Sequence, residues 1–184
     1  PLTYLFVRNT HRVLELLDTH RTRATFFVLG LAARRAPHLV RELAARGHDV
    51  QTHGFAHRSA DRQTPAQFEK DVSDSKKLLE DLVGRPVTAY RAPRFSIVRT
   101  NLWALDVLAK NGFTADSSIF PMRVRGYGIG DTPISPYRIR TPSGCLLEAP
   151  VLVAKHGPLR FPVGGGGYFR LLPGRIIQSA VRRM

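Results

Sequence analysis

The sequence predicts an α/β fold, either an α/β barrel or a doubly wound sheet, in which parallel strands alternate with helices. Strand-like and helix-like segments alternate about five times, and glycines separate helices from the following strands at Gly47 and Gly112. Polar clusters follow strand-like segments at residues 53–57, 91–96 and 116–118. Because α/β barrels build their sites at the carboxyl ends of parallel strands, this placement favours a functional site at one edge of the sheet.

The first half of the chain is interpreted as two helix–strand pairs. Asn9 and Thr10 are available as N-caps for the first helix, and Pro37 interrupts the second helical pattern, which indicates a kink or two short helices. The first strand segment is a continuous apolar run, as expected of a parallel strand that is buried on both faces. The predicted elements are a helix over 9–20, a strand over 23–30, a helix over 31–45 and a strand over 48–52.

The second half contains the most clearly signalled helix of the chain. Thr64 is its predicted N-cap, Pro65 its first residue, and Gln67 completes a capping box, while Gly84 ends the helix. The later predicted elements are a strand over 87–90, a helix capped by Thr100 and ended at 111–112, a strand over 113–119, an irregular loop over 121–144, a strand over 146–153 and a helix that opens at Pro173.

Length and composition predict one globular domain. The chain has 184 residues, of which 43% are hydrophobic, and this is enough to bury a core. The net charge of +14 comes mostly from arginines dispersed along the chain, a pattern that does not predict a nucleic-acid partner. No apolar run approaches the roughly 18 residues of a membrane span. Cys145 is the single cysteine, so it forms no internal disulfide, and we expect it to be a small buried residue.

Two histidines four residues apart form the most informative local pattern. His53 and His57 follow a short predicted strand, and neutral imidazole nitrogens are favoured ligands of zinc and similar divalent ions. The pattern alone is weak, because a chain with seven histidines can contain such a pair by chance. Residue 54 is glycine, which excludes the His-Glu-x-x-His pattern of zinc proteases. We interpret the pair as one half of a metal site.

Four short motifs follow one another along nearly the whole chain. They are TFFVLG at 25–30, HGFAH at 53–57, YRAPRFS at 90–96 and DSSIFP at 116–121. Together they closely resemble the motifs of the NodB-homology polysaccharide deacetylases, carbohydrate esterase family 4. A fifth segment, GGGGYFRLLP at 164–173, is similar to the branch found with exopolysaccharide and exosortase loci in bacteria. The resemblance implies a distorted (β/α) barrel with fewer than eight strands, formed as a single domain over 1–184.

The resemblance also implies a role for residues at the ends of the predicted strands. It implies that His53 and His57 bind a divalent metal, with zinc expected. It implies that Arg91 orients the catalytic base and that the main-chain N–H of Arg94 binds the developing oxyanion. Asp116 matches a position in the charge network of the site. The residues that the resemblance places against the sugar are Pro93, Phe95 and Tyr168.

The activity implied by the resemblance is metal-dependent N-deacetylation of a bacterial polysaccharide. An amide is a poor electrophile and its amine a poor leaving group, and a bound metal compensates by polarising the carbonyl and activating water. The expected partner is therefore a polysaccharide or oligosaccharide that carries N-acetyl groups.

The first and last motifs of the family have no counterpart between Pro1 and Met184. The first motif carries paired aspartates, which supply the base and the third metal ligand, and it is expected upstream of residue 1. The last motif carries an acid histidine and is expected after residue 184. We therefore expect a barrel that is incomplete at both ends, and a 184-residue chain that alone binds metal weakly and shows no turnover. The sequence leaves the location open between the bacterial cytoplasm and the cell envelope.

Two other functions remain open on the sequence. One is an amidohydrolase of the same fold that acts on small cyclic imides or ureides, and the other is a basic domain that binds an anionic polymer without catalysis. Simpler interpretations of single features also remain. Arg91 can pair with a surface acid, and the glycine run at 164–167 can be a hinge. Asp116 can cap a turn through Ser117 and Ser118.

Overall fold

The computed structural model describes residues 2–124, 126–156, 159–164 and 173–182. The helices are α1 (Leu2–Thr19), α2 (Gly30–Arg35), α3 (Pro37–Ala45), α4 (Pro65–Val83), α5 (Trp103–Lys110) and α6 (Gly174–Arg182). The strands are β1 (Thr25–Val28), β2 (Asp49–Thr52), β3 (Ala89–Tyr90), β4 (Ala115–Asp116), β5 (Tyr137–Thr141), β6 (Gly144–Glu148), β7 (Val153–His156) and β8 (Leu159–Pro162). Single 3₁₀ turns lie at Ala60–Arg62, Pro93–Phe95 and Arg99–Asn101.

Six of these strands form one sheet in the order β1-β2-β3-β4-β6-β5. Each neighbouring pair from β1 through β6 is parallel, and β5 pairs with β6 in the antiparallel sense. The prediction of an α/β fold with parallel strands is therefore confirmed. Within the described residues β1 and β5 are the two edges, so the sheet is open and does not close into a barrel. β7 and β8 form a separate antiparallel hairpin.

The core lies between the sheet and the helices that cover it. Helix α4 buries Phe68, Val72 and Leu79 completely, at spacings of four and seven residues, which place side chains on one helix face. The ring of Phe68 contacts Tyr90 edge-to-face at 5.6 Å between centroids and Trp103 at 5.7 Å. Each buried side chain of this size stabilises the fold by about 1.5–3 kcal/mol. These contacts fix α4 against the strands whose ends carry the polar clusters.

The predicted start and end of α4 are confirmed. The backbone N–H of Gln67 donates to the Thr64 hydroxyl, the Gln67 side chain accepts from the backbone N–H of Thr64, and Gly84 ends the helix in the left-handed region at φ +64°. The predicted break in the second helical pattern is also confirmed, because Pro37 is the first residue of α3 and separates it from α2.

Two predicted caps are wrong. Helix α1 already begins at Leu2, so Asn9 and Thr10 lie inside it, and the Thr10 hydroxyl donates back to the Phe6 carbonyl. Thr100 does not cap α5, because residues 99–101 form a 3₁₀ turn and α5 starts at Trp103. The side chain that accepts from the chain ahead of this turn is Asn101, whose Oδ1 is 2.7 Å from the Val98 nitrogen.

The predicted loop over 121–144 contains strand β5, which pairs with β6. Proline and glycine around this strand masked its alternation, in which Arg138 and Arg140 are exposed and the residues between them are half-buried. The strand predicted over 146–153 is also divided: β6 ends at Glu148, and a second hairpin starts at Val153.

Cys145 is exposed, so the prediction that it is buried is wrong. Side chains alternate along a strand, and β6 turns Leu146 and Glu148 inward, which leaves Cys145 on the outer side. The predicted glycine-rich pocket segment at 163–170 falls mostly outside the described residues, and the predicted substrate residue Tyr168 lies there. No helix in the described ranges has the length and apolar character of a membrane span.

Candidate functional site

The three predicted polar clusters meet at the carboxyl ends of adjacent strands. The parallel register places Thr52 beside Tyr90, and Tyr90 beside Asp116. Backbone hydrogen bonds continue past the strand ends, from Arg91 N–H to the Thr52 carbonyl at 3.1 Å and from Ser117 N–H to the Tyr90 carbonyl at 2.9 Å. The residues that follow β2, β3 and β4 are therefore held side by side at one edge of the sheet, as the sequence predicted.

His53 and His57 lie in contact, with their ring centroids 5.3 Å apart and their planes at 67°. His53 Nδ1 is 2.6 Å from the Arg91 carbonyl oxygen. A carbonyl only accepts, so Nδ1 carries the proton and Nε2 keeps its lone pair for a ligand. Burial lowers the pKa of His53, and the neighbouring His57 and Arg91 act in the same direction, whereas the hydrogen bond to the Arg91 carbonyl opposes them. His53 is therefore neutral at pH 7, the form that binds a metal ion.

The loop that carries the two histidines is fixed by α4. Asp71 accepts from the Phe55 N–H at 2.9 Å, and the Ser75 hydroxyl donates to the Gly54 carbonyl at 3.1 Å. Gly54 has φ +78°, and a Cβ at this position would lie 2.6 Å from an Asp71 carboxylate oxygen, so glycine is required here. His57 also has a positive φ, of 58°. The contacts of α4 therefore fix Gly54 and Phe55, and His57 has a backbone conformation that non-glycine residues rarely adopt.

Asp71 is a site residue that the sequence reasoning missed. Burial raises the pKa of its carboxyl, while the N–H groups of Phe55 and Ala56 favour the ionised form. Its position on the inner face of an amphipathic helix gave no local signal, because the loop it contacts lies sixteen residues earlier in the chain.

Replacing Asp71 with asparagine is expected to loosen the histidine loop. An amide oxygen accepts less strongly than a carboxylate, and the change weakens hydrogen bonds to two N–H groups, so we expect the free energy of unfolding to fall by about 1–3 kcal/mol. The zinc affinity is expected to fall about tenfold, as for other residues that orient metal ligands. Calorimetric zinc titration and thermal unfolding measure both effects.

The matched control is Asp74→Asn on the same helix, where the exposed carboxylate pairs with the exposed Lys70. This control is expected to leave zinc affinity unchanged and stability within about 0.5 kcal/mol. Equal effects of the two substitutions on zinc affinity would contradict a role for Asp71 in holding the loop.

Arg91 is held from several sides. Its Nη2 donates to the Ser117 hydroxyl at 2.8 Å, that hydroxyl donates to the Ala149 carbonyl at 2.6 Å, and the guanidinium stacks over the Phe27 ring at 4.3 Å. Burial lowers the pKa of Arg91, and the carboxyls of Asp116 and Glu148 oppose that shift. Arg91 therefore stays cationic, and the interpretation as a surface ion pair does not fit this geometry.

Two interpretations of Asp116 were open on the sequence, a turn cap and a member of the charge network, and its contacts include both kinds. It is 1% exposed and accepts from the Ser118 hydroxyl at 2.5 Å and from the Ser118 N–H at 3.2 Å, so it caps a turn. The same hydroxyl accepts from the Ala92 N–H at 2.8 Å, which links Asp116 to the segment after Arg91. Asp116 also belongs to the charge network around Arg91.

Glu148 is a second site residue that the sequence reasoning missed. It is fully buried, and the parallel pairing of β4 with β6 places it directly beside Asp116. Its Oε1 accepts from the Ile119 N–H at 3.1 Å. Burial and the neighbouring Asp116 raise the pKa of Glu148 to about 10. Side chains alternate along β6, so Leu146 and Glu148 point inward and Leu147 points outward. This alternation was the signal in the sequence that could have identified Glu148 as buried.

The turn after Arg91 contains two non-glycine residues with positive φ, Arg94 at 59° and Phe95 at 52°. Such conformations cost about 1–3 kcal/mol each, and they cluster at functional sites. The N–H groups of Phe95 and Ser96 donate to the Ala92 and Pro93 carbonyls, and neither hydrogen bond uses the Arg94 N–H.

The predicted substrate residues of this turn have different surroundings. Pro93 is buried and supports the turn from inside. Phe95 packs its ring 5.6 Å from Phe120 and 6.5 Å from Tyr127, between ring centroids.

The two histidines fit one half of a metal site. Their rings are in contact, and the neutral His53 keeps Nε2 for coordination. No cluster of three or more His, Cys, Asp or Glu side chains with metal-ligand spacing occurs among the residues that the structure describes. A cavity of about 340 Å³ adjoins the pair, and apart from Thr10 its other lining residues are apolar groups of α1, β1, α2, α3 and the Leu29 that follows β1. The pair therefore has open space on the β1 side of the sheet.

Known proteins are similar to this chain in sequence or in fold. The chain is 34% identical over 84 residues to a peptidoglycan-N-acetylglucosamine deacetylase of Bacillus cereus, covering 46% of this chain and 39% of that protein. It is 33% identical over 100 residues to a chitooligosaccharide deacetylase of Bradyrhizobium sp., covering 54% of this chain and 43% of that protein. The chain thus spans less than half the length of these two relatives.

A solved structure and two family models complete the comparison. A crystal structure of a Mycobacterium smegmatis protein assigned to the polysaccharide deacetylases superimposes with a TM-score of 0.65 at 28% identity, over 80% of this chain and 49% of that one. Residues 117–184 match a domain of unknown function, DUF3473. Residues 3–115, more than half of the chain, match the model of the polysaccharide deacetylase family, and the chain belongs to that family.

Proposed function

We propose that this chain carries the metal-binding half and the charge network of a metal-dependent deacetylase of N-acetylated sugars in a bacterial polysaccharide. The observation that carries the proposal is the contact of His53 with His57 beside Arg91, at the carboxyl ends of parallel strands. Relatives that deacetylate peptidoglycan and chitooligosaccharides support an N-acetyl sugar as the substrate.

The residues of the chain have separate tasks in this proposal. His53 and His57 hold the metal ion, for which we propose zinc, and the hydrogen bond from His53 Nδ1 to the Arg91 carbonyl fixes the ligand tautomer. When bound, such an ion polarises the acetyl carbonyl and activates water for attack. The Arg94 N–H, which the hydrogen bonds of Phe95 and Ser96 in its turn do not use, has the task of donating to the developing oxyanion, where one donor contributes about 2.7–4 kcal/mol.

Arg91 keeps the site cationic next to the metal. Its guanidinium is fixed by the Phe27 ring and by the Ser117 hydroxyl, so it orients a neighbouring carboxylate base without changing its own position. A third metal ligand and the base itself, both expected as aspartates, are needed to complete this arrangement.

The test is acetate release by the protein at its full natural length. With zinc present, we expect acetate from N-acetylchitooligosaccharides or from peptidoglycan, and no product from a cyclic ureide. Hydrolysis of the ureide alone would favour the amidohydrolase interpretation. Salt-sensitive binding to an anionic polymer, without acetate release and unaffected by His53→Ala, would favour a non-catalytic domain.

A further inference from the structure

A pair of buried carboxyls lies behind Arg91. Asp116 is 1% exposed and Glu148 is fully buried, and the register of β4 and β6 makes them direct neighbours. Two carboxylates cannot both remain ionised at such a place, because their repulsion and the loss of water act together. The pair therefore holds one proton over the neutral range.

Hydrogen bonding decides which carboxyl carries that proton. Asp116 accepts from both the hydroxyl and the N–H of Ser118, which favours its ionised form. Glu148 accepts on Oε1 from Ile119 N–H, and its Oε2 is buried with no donor facing it. Burial raises the pKa of both carboxyls, while a hydrogen bond between them adds to this shift for Glu148 and, like the bonds from Ser118, opposes it for Asp116. The proton therefore belongs to Glu148.

One negative charge then faces one positive charge. The cation is Arg91, on which both carboxyls act electrostatically. Hydrogen bonds through the Ser117 hydroxyl link it to the carbonyl of Ala149, the residue directly after Glu148. A doubly ionised pair would pull the guanidinium toward β6, and a doubly protonated pair would leave it without a counter-charge. A singly charged pair balances Arg91 in the position where the Phe27 ring and Ser117 hold it.

We propose that Glu148 is a positioning residue, which stays protonated beside Asp116 so that the pair carries the single negative charge that holds Arg91 at the candidate site. This role deepens the proposed deacetylase function, and its test by acetate release rests on that function. The spectroscopic and stability measurements do not depend on it, so they test the proposal even if no acetate is released.

The pH dependence of stability is the first test of the proposal. Because the pKa of Glu148 is about 10 in the folded protein and 4.5 ordinarily, the folded state keeps a proton that the unfolded chain loses between these values. This contribution to stability is complete below pH 4.5 and is lost as the pH rises through that window. The aromatic neighbours add no slope below pH 9, because burial raises the pKa of Tyr137 to about 12 and that of Tyr90 well above 10.

Glu148→Gln removes the titration but keeps a neutral hydrogen-bond donor. The melting temperature of this variant, relative to the unsubstituted protein, is expected to rise steadily from pH 5 to pH 9. Infrared difference spectra at pH 7 are expected to show a protonated carboxyl band that Glu148→Gln eliminates. A flat difference in melting temperature, or a Glu148 carboxyl that is ionised at pH 7, would overturn the proposal.

Glu148→Leu removes the hydrogen bond as well, and Arg91 then reports the consequence. We expect the side-chain NMR resonance of the Arg91 guanidinium to be retained in Glu148→Gln and shifted or broadened in Glu148→Leu. In the acetate-release assay, kcat is expected to fall less than about threefold in the first variant and more than about tenfold in the second, with KM nearly unchanged. Equal shifts and equal losses in both variants would overturn the positioning role. If the leucine variant does not fold, the infrared and melting data on Glu148→Gln decide.

Discussion

Replacing His53 with alanine is expected to abolish metal binding and to reduce acetate release at least about 1000-fold, in the protein at its full natural length. The substitution removes one of two imidazoles whose rings lie 5.3 Å apart. Losing the metal removes several kcal/mol of transition-state stabilisation, and each 1.36 kcal/mol corresponds to a factor of about ten. Metal content by mass spectrometry and acetate release by a coupled assay measure the two losses.

His20→Ala is the matched control, because His20 is exposed and lies at the end of α1. It is expected to keep both the metal and the activity. An alanine variant of His53 that retained bound zinc and more than about a tenth of the unsubstituted rate would contradict the assignment of this residue as a metal ligand.

Arg91→Ala is expected to have the largest effect on stability. It removes the positive charge that acts on the buried carboxyls of Asp116 and Glu148, and we expect the free energy of unfolding to fall by about 2–4 kcal/mol. It also removes the stacking contact with Phe27 and the hydrogen bond to Ser117. We expect kcat to fall at least about 100-fold, because the catalytic base is no longer oriented. Chemical denaturation and steady-state kinetics give both values.

Arg85→Ala provides the control for removing an arginine, because Arg85 is exposed in the turn after α4. Its effect on the free energy of unfolding is expected to stay within about 0.5 kcal/mol. If Arg91→Ala destabilised the protein no more than Arg85→Ala, the charge network around Asp116 would not contribute to the fold.

The sequence predicted those parts of the fold that depend on local signals. The capping box at Thr64 and Gln67 determines where α4 begins. The placement of His53, Arg91 and Asp116 at strand ends indicated the edge of the sheet at which the candidate site lies. These features are visible because neighbouring residues make the relevant hydrogen bonds or share one strand.

The features that were missed depend on contacts between distant segments. Asp71 acts on the histidine loop from a helix, and Glu148 meets Asp116 only because β6 pairs with β4 across thirty-two residues of chain. Strand β5 was hidden by surrounding proline and glycine, and the exposed Cys145 follows from the register that β5 imposes on β6. Spacing along one segment cannot show which partner a buried carboxylate will have.

In the proposed site, the imidazoles of His53 and His57 bind one common ion. Zinc X-ray absorption spectroscopy on the zinc-loaded protein at its full natural length tests it most directly, with the double variant His53→Ala/His57→Ala alongside. We expect two imidazole nitrogens about 2.0–2.1 Å from zinc, and the loss of both in the double variant. A zinc spectrum without imidazole scattering, or one that the double substitution leaves unchanged, would contradict it.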